Sequence, residues 1–300
     1  MSPRPLKILV NGRNGQVARE LQFSLAGLGQ LHVLGREQLD LADPQAIRAQ
    51  VQALRPDLII NAAAHTAVDQ AESEEDQAMA LNATAPGILA EEAALLGIPL
   101  IHYSTDYVFN GNKPGPYSED DPTQPLGAYG RSKLAGEQAI RAVGAEHLIL
   151  RTSWVYSLHG RNFLLTMQRL LQEKPHMRVV ADQIGAPTWA GTIADITRQL
   201  IERWRDGTPG AWGTYHLTAL GETSWCGFAE QIADHLKAQG KAAATLEPIP
   251  SSAYPTPAVR PLNSRLNCDR LQAEWHVRLP QWQEALAQCL ATPRQDLQEK

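Results

Sequence analysis

The chain has 300 residues, 43% of them hydrophobic, with 22 glycines and 20 prolines; this suffices for one large α/β domain, or a major domain with a smaller one appended, and excludes a disordered or fibrous chain. A net charge of −5 gives no compositional basis for binding nucleic acid or an anionic membrane surface, so neither is expected as a partner. Cys226, Cys268 and Cys289 are the only cysteines and lack CxxC spacing, which argues against a disulfide framework or a zinc cluster; with no signal-peptide core near the start and no run of roughly 20 apolar residues, the expected location is the cytoplasm.

Short apolar runs alternate with helix-period segments through the first half. Strands are predicted at 7–10, 30–34, 58–61, 100–104 and 147–151, and helices at 15–28, 44–54, 78–96 and 128–143. Five such units imply an α/β fold with a Rossmann-type doubly wound parallel sheet. After the first strand, Asn11-Gly12-Arg13-Asn14-Gly15-Gln16-Val17-Ala18 opens a helix in a GxxGxxA pattern. Gly12 and Gly15 permit a tight turn whose N–H groups approach a pyrophosphate, while small Ala18 permits close packing of helix on strand.

The second strand closes at Gly35-Arg36, where NAD-preferring proteins hold an acid against the ribose 2′-hydroxyl. That acid is missing, and Arg36 with Arg13 offers charge-assisted hydrogen bonds to a 2′-phosphate. NADPH is therefore the expected cofactor, with NADH as the second candidate. Asp40 and Leu41 are placed to flank the adenine, and the small residues of Ala62-Ala63-Ala64-His65-Thr66 follow the third strand where a cofactor lies against backbone. His65 reads as a packing or hydrogen-bonding residue rather than an acid or base.

Thr105 falls at the carboxyl end of the fourth strand, where ligands bind in doubly wound sheets, and its hydroxyl suits a substrate carbonyl; loop capping is the competing use of such a hydroxyl. Tyr129 and Lys133 form a YxxxK pair on one face of the following helix. An ammonium beside a phenol is expected to lower its pKa towards the working range, so that Tyr129 protonates a developing alkoxide.

All seven tryptophans lie from Trp154 onward, where the alternation becomes irregular, and a smaller mixed α/β substrate lobe is expected there. Residues 1–153 are assigned to the dinucleotide-binding domain with elements from about 184–219 returning to it. Residues 154–183 and 220–291 are assigned to the substrate lobe, and 292–300 to a frayed tail. Pro255, Pro257 and Pro261 make 251–261 a loop.

With NGRNGQVA, NAAAHTAVD, HYSTDYVFNG, YGRSKLAGEQ, LRTSWVYS, DQIGAPT and SAYPTPAVRPLNSRL in place, the chain resembles the extended short-chain dehydrogenases/reductases over nearly its whole length. The resemblance implies reduction of a nucleotide-linked 4-keto sugar, with Thr105, Tyr129 and Lys133 as the catalytic trio. It implies cofactor contacts at Gly15, Gln16, Val17, Asp40, Leu41, Ala64, His65 and Thr66, and sugar contacts at Thr105, Asp106 and Trp154. Arg260 or Arg265 is expected near the sugar nucleotide's diphosphate, a surface ion pair being the plainer use of each. Some members place a glutamate after GAPT to help bind Mg²⁺ at a dimer contact; Gly191 stands there, so no metal is expected and the chain is read as a monomer or weak homodimer. Another nucleotide-sugar reductase or an epimerase of the same family is the first rival reading. The second is a non-catalytic subunit like the regulatory relative found with methionine adenosyltransferase.

Overall fold

The computed structural model describes residues 5–293. The first half runs β1 (Leu6–Asn11), α1 (Gln16–Ser24), β2 (Gly29–Leu34), α2 (Pro44–Leu54), β3 (Leu58–Asn61), the short α3 (Val68–Ala71) and α4 (Glu75–Met79), a π-helical turn (Ala80–Thr84), α5 (Ala85–Leu96), β4 (Leu100–Thr105), α6 (Ala128–Val143) and β5 (His147–Thr152). The second half runs β6 (Val155–Tyr156), α7 (Phe163–Glu173), β7 (His176–Val180), β8 (Ile184–Gly185), β9 (Thr188–Trp189), α8 (Ala190–Arg205), β10 (Gly213–His216), β11 (Thr223–Ser224), α9 (Trp225–Ala238), β12 (Thr245–Ile249), α10 (Asp269–Trp275) and α11 (Trp282–Ala291).

Six strands form one sheet in the order β10-β5-β4-β3-β1-β2, every pair parallel. From β1 the chain first builds outward to β2, then crosses back to β3 on the other side of β1, so the winding reverses there and a crevice opens at the carboxyl ends. Strand periodicity fixes the two cores. Ile8, Val10, Ile60, Ile101, Tyr103, Leu148 and Leu150 pack with Leu21, Leu25, Ile193 and Leu200 of α1 and α8. Leu9, Ile59, Leu100 and Ile149 face Ile47, Val51, Leu89 and Ile140 of α2, α5 and α6. Burial on both faces explains why these strands read as unbroken apolar runs, and each such side chain contributes about 1.5–3 kcal/mol on burial.

The segments predicted at 44–54, 58–61 and 128–143 coincide with α2, β3 and α6. Two predicted helices differ. The one at 15–28 stops at Ser24, because Gly27 takes a φ of +90° and turns the chain into β2. The one at 78–96 is interrupted by the π-helical turn, in which the Asn82 side chain accepts from His65 N at 2.8 Å and donates to His65 O at 3.0 Å. Strand β10 is an addition to the five predicted; it extends the sheet beside β5, and α8 packs on α1.

A third core gathers Leu164, Met167 and Leu171 of α7, Met177 and Val179 of β7, Phe228 and Ile232 of α9 and Leu286 of α11. Residues 251–261 form a loop with one 3₁₀ turn, Ser251–Ala253. The expected frayed tail falls mainly on 294–300, outside the described residues. Among the described residues, no helix is long and apolar enough to cross a membrane.

Candidate active site

A continuous cleft of about 730 Å³, open to solvent, runs along the carboxyl ends of β1 to β5. That volume falls within the roughly 300–1,000 Å³ of ligand pockets. At one end lies the glycine loop. Gly12 has φ +93°, and a Cβ there would stand 2.9 Å from the backbone of Ala63, so only glycine lets β1 and the 62–64 segment approach this closely. Gly12 N and Arg13 N donate to Leu34 O at 3.0 and 3.2 Å, and Gly15 N donates to Gly12 O at 2.7 Å. Gly15 caps α1 without a side-chain acceptor, leaving the first N–H groups of the helix directed at the cleft for an anion.

An adjoining pocket is lined by Asn11, Leu34, Gly35, Arg36, Leu39, Asp40, Leu41, Ala63, Ala64 and Leu81. Asn11 is 1% exposed, and neither polar atom of its amide has a protein partner. A buried unpaired amide costs free energy unless a ligand completes it. The uncapped helix start, the glycine cradle and this orphaned amide together fit a dinucleotide. Arg36 borders both the cleft and this pocket, is 77% exposed and stands 3.9 Å from Asp40.

At the chemical end Thr105, Asp106, Tyr129, Lys133 and Trp154 line the cleft. Thr105 Oγ1 accepts from Tyr107 N at 3.2 Å and donates to Asp106 Oδ1 at 3.2 Å, so its hydroxyl caps the turn after β4 while facing Tyr129. Asp106 is 3% exposed and its Oδ2 has no partner; burial pushes its carboxyl up to about 6, against hydrogen bonds from Ser264 and Thr105. Lys133 Nζ donates to Tyr103 O at 2.7 Å and lies 3.2 Å from His102 Nε2. Burial holds Lys133 down at about 8, with the Glu137 charge opposing.

The expected lowering of the Tyr129 pKa by Lys133 is corrected here. Desolvation by the cleft walls pushes Tyr129 up to about 12, Thr105 opposing and Asp106 reinforcing the shift. The ammonium is turned to Tyr103 and His102, so Tyr129 stands as a protonated acid.

Trp154 adopts φ +49° and stacks on Trp225 with ring centroids 3.7 Å apart. Gly185 underlies it, since a Cβ there would come within 2.7 Å of the indole. Of the residues singled out in the sequence, Gly12 to Val17, Arg36, Ala63, Ala64, Thr66, Thr105, Asp106, Tyr129, Lys133 and Trp154 border this cleft, and Asp40 and Leu41 the pocket adjoining it. His65 does not: its backbone is held by Asn82, and its Nε2 lies 3.6 Å from Glu74. Arg260 and Arg265 are likewise outside the lining. Arg260 donates to Asp69 at 2.9 Å, and Arg265 donates to Asn263, Glu222 and Pro114 O. Gly191 opens α8 beneath the Trp189 indole.

Sequence reading missed Asn11, Tyr107, Arg161 and Trp225. Only Asn11 carried a usable signal, as a polar residue ending a buried strand. Arg161 borders the cleft beside Gly160, which approaches the Gln16 side chain, and Asn162 Nδ2 donates to Gln16 Oε1 at 2.8 Å. The Gly160–Asn162 segment thus lies against the start of α1.

The family model described as RmlD substrate binding domain matches residues 6–295. The chain is 47% identical over 292 residues to the dTDP-4-dehydrorhamnose reductase of Burkholderia thailandensis, covering 95% of this chain and 98% of that one. It is 45% identical over 291 residues to the dTDP-4-dehydrorhamnose reductase of Escherichia coli, covering 95% and 97%. The crystal structure of dTDP-4-dehydrorhamnose reductase from Bacillus anthracis in complex with NADP matches with a TM-score of 0.89 at 33% identity, covering 95% of this chain and 99% of that chain.

Proposed function

The chain belongs to the RmlD substrate-binding family of dTDP-4-dehydrorhamnose reductases, and from that membership we propose that it reduces dTDP-4-dehydro-L-rhamnose to dTDP-L-rhamnose with NADPH. The observation that carries the reading is the convergence of Thr105, Tyr129 and Lys133 on the cleft that also holds the glycine loop. When bound, NADPH would supply the hydride for C4 of the keto sugar.

The chain's own residues do the rest. Tyr129 gives its phenolic proton to the C4 oxygen as negative charge develops there, which suits a phenol kept protonated well above neutral pH. Thr105 donates a hydrogen bond to the same oxygen from its other side, stabilising charge that exists only as the bond to C4 forms. Lys133, still an ammonium below about pH 8, directs its remaining N–H into the cleft to orient the cofactor's ribose and to favour proton release from Tyr129. Asp106 and Trp154 bound the sugar. Gly12, Arg13, Asn14, Gly15, Gln16 and Val17 would hold the pyrophosphate, Arg36 the 2′-phosphate, and Asp40, Leu41, Ala63, Ala64 and Thr66 the adenosine. Arg161, beside the glycine loop, would add a cation near the cofactor's pyrophosphate. We place the enzyme in the cytoplasm as a monomer or weak homodimer, the second because Gly191 has no carboxylate for a metal-bridged contact.

The test follows NADPH absorbance in the presence of freshly generated keto sugar. The parent should consume NADPH only when the keto sugar is present. Tyr129→Phe should lose about 10²–10⁴-fold in turnover, the usual worth of a positioned acid, with NADPH binding nearly unchanged. NADPH binding without oxidation, or a Tyr129→Phe protein with normal turnover, would contradict the assignment.

A further inference from the structure

We infer that His102 is a positioning residue whose Nε2 lone pair fixes the Lys133 ammonium, an inference that rests on the role given to Lys133 above. His102 lies on β4 with no exposed surface, its Nε2 3.2 Å from Lys133 Nζ and its Nδ1 3.1 Å from Asn61 Nδ2. Asn61 is 1% and Lys133 2% exposed, so an unbroken buried row runs from β3 through β4 to α6.

An ammonium has three donors and no acceptor. Tyr103 O takes one at 2.7 Å and His102 Nε2 takes a second. The third is left for the cleft that Lys133 lines. Two fixed N–H bonds define the direction of the third, which an otherwise flexible four-carbon side chain would not hold. An ammonium can only donate, so Nε2 must carry the lone pair and Nδ1 the proton; Asn61 Nδ2 stands at 3.1 Å from Nδ1, and the amide, whose oxygen otherwise meets Ala63 N at 3.4 Å, has to turn that oxygen towards Nδ1 to receive it. A cationic ring is disfavoured, because burial and the Lys133 charge hold His102 well below its ordinary range.

The remaining ionisable groups are otherwise engaged. On α6, Tyr129 faces Thr105 and Glu137 accepts from Arg151 of β5, from Arg141 and from Ser104. Glu137 favours the Lys133 charge at a distance. Asn82 and Ser132, beside the row, are neutral and bonded to each other. Replacing His102 by an apolar residue removes an acceptor from a buried cation, so the ammonium becomes harder to maintain and the Lys133 midpoint falls.

The experiment uses full-length protein with labelled lysine and histidine. The Lys133 ¹³Cε resonance is titrated in the parent, in His102→Gln, which retains an acceptor, and in His102→Leu, with kcat/KM measured over the same pH range. The parent midpoint is expected at about 8. His102→Gln should stay close to it; His102→Leu should fall by roughly one pH unit, equivalent to one modest hydrogen bond. The alkaline limb of kcat/KM should move down with it, and kcat/KM at pH 7 should drop about 10–100-fold, as for a lost hydrogen bond to a charged group. Parent midpoints in His102→Leu, or equal losses in both variants with no shift, would overturn the inference, the ring then only filling space. Should His102→Leu fail to fold, the parent's imidazole ¹⁵N spectrum decides: Nδ1–H supports the inference and Nε2–H sinks it. The lysine titration needs no turnover, so a shifted midpoint in a protein inert towards the keto sugar would refute the reaction and leave the hold on Lys133 intact.

Discussion

Asp106 places a carboxyl where burial opposes its charge, with one oxygen bonded to Thr105 and the other unpartnered. Its folded-state pKa stands at about 6 against an ordinary 3.8, so between those values the folded chain binds more protons than the unfolded one. The stability this group contributes is full below about pH 4 and is lost as pH rises through 6, up to about 3 kcal/mol. Asp106→Asn keeps the shape without the charge. Its urea midpoint should exceed the parent's by a margin that grows from about pH 5 to pH 7, while KM for the sugar nucleotide rises. A margin independent of pH would refute the assignment of this destabilisation to Asp106. Arg36 acts at the opposite end of the cleft, where its 77% exposure screens the contact. Arg36→Ala should cut the preference for NADPH over NADH by about 10-fold, the lower end for a charged hydrogen bond. Equal preference before and after the change would assign the 2′-phosphate elsewhere.

The element that aligns the chemistry is α6, and its anchor is Glu137. This carboxylate has no exposed surface; it accepts from Arg151 Nε at 2.9 Å and from the second Arg151 nitrogen at 2.7 Å, and from Ser104 Oγ at 2.6 Å. It therefore ties α6 to β4 and β5 one helical turn beyond Lys133. Gly136 allows the close approach on the neighbouring face, since a Cβ there would lie 2.0 Å from Asn82 O. Glu137→Gln leaves Arg151 buried without its charge partner and should cost about 3–5 kcal/mol. Adding Arg151→Met should recover part of that loss, because the stranded cation is removed as well. Equal stability of the single and double variants, measured by urea unfolding, would show that the pair does not carry this load. The bounds of α2 and α6 were legible because local chemistry marks them. Asp43 caps α2 by accepting from Gln45 N and Ala46 N, Pro44 starts it, and Gly144 closes α6 with φ +73°. The π-helical turn was not legible, because its cause is the contact of Asn82 with His65, 17 residues away in the chain.

Across the whole molecule, the loop at 153–161 and the start of α9 border the cleft at the carboxyl end of the sheet. Asn162 bonds Gln16, and Trp225 stacks on Trp154. Motif spacing exposed the residues that sit on strand ends and on one helix face: Gly12, Gly15, Thr105, Tyr129 and Lys133. It could not expose Arg161, Trp225 or His102, whose places follow from how distant elements pack. For the same reason the sequence offered Arg260 and Arg265 as phosphate ligands without showing that Asp69 and Glu222 engage them.

The central claim is that this cleft passes a hydride from nicotinamide C4 to sugar C4 while Tyr129 protonates the oxygen. The direct measurement supplies NADPH carrying deuterium at both C4 positions together with the 4-keto sugar nucleotide, and locates deuterium in the product by NMR. One deuterium at sugar C4 and none at C3 or C5 is the predicted result; a product without deuterium at C4 would contradict the account.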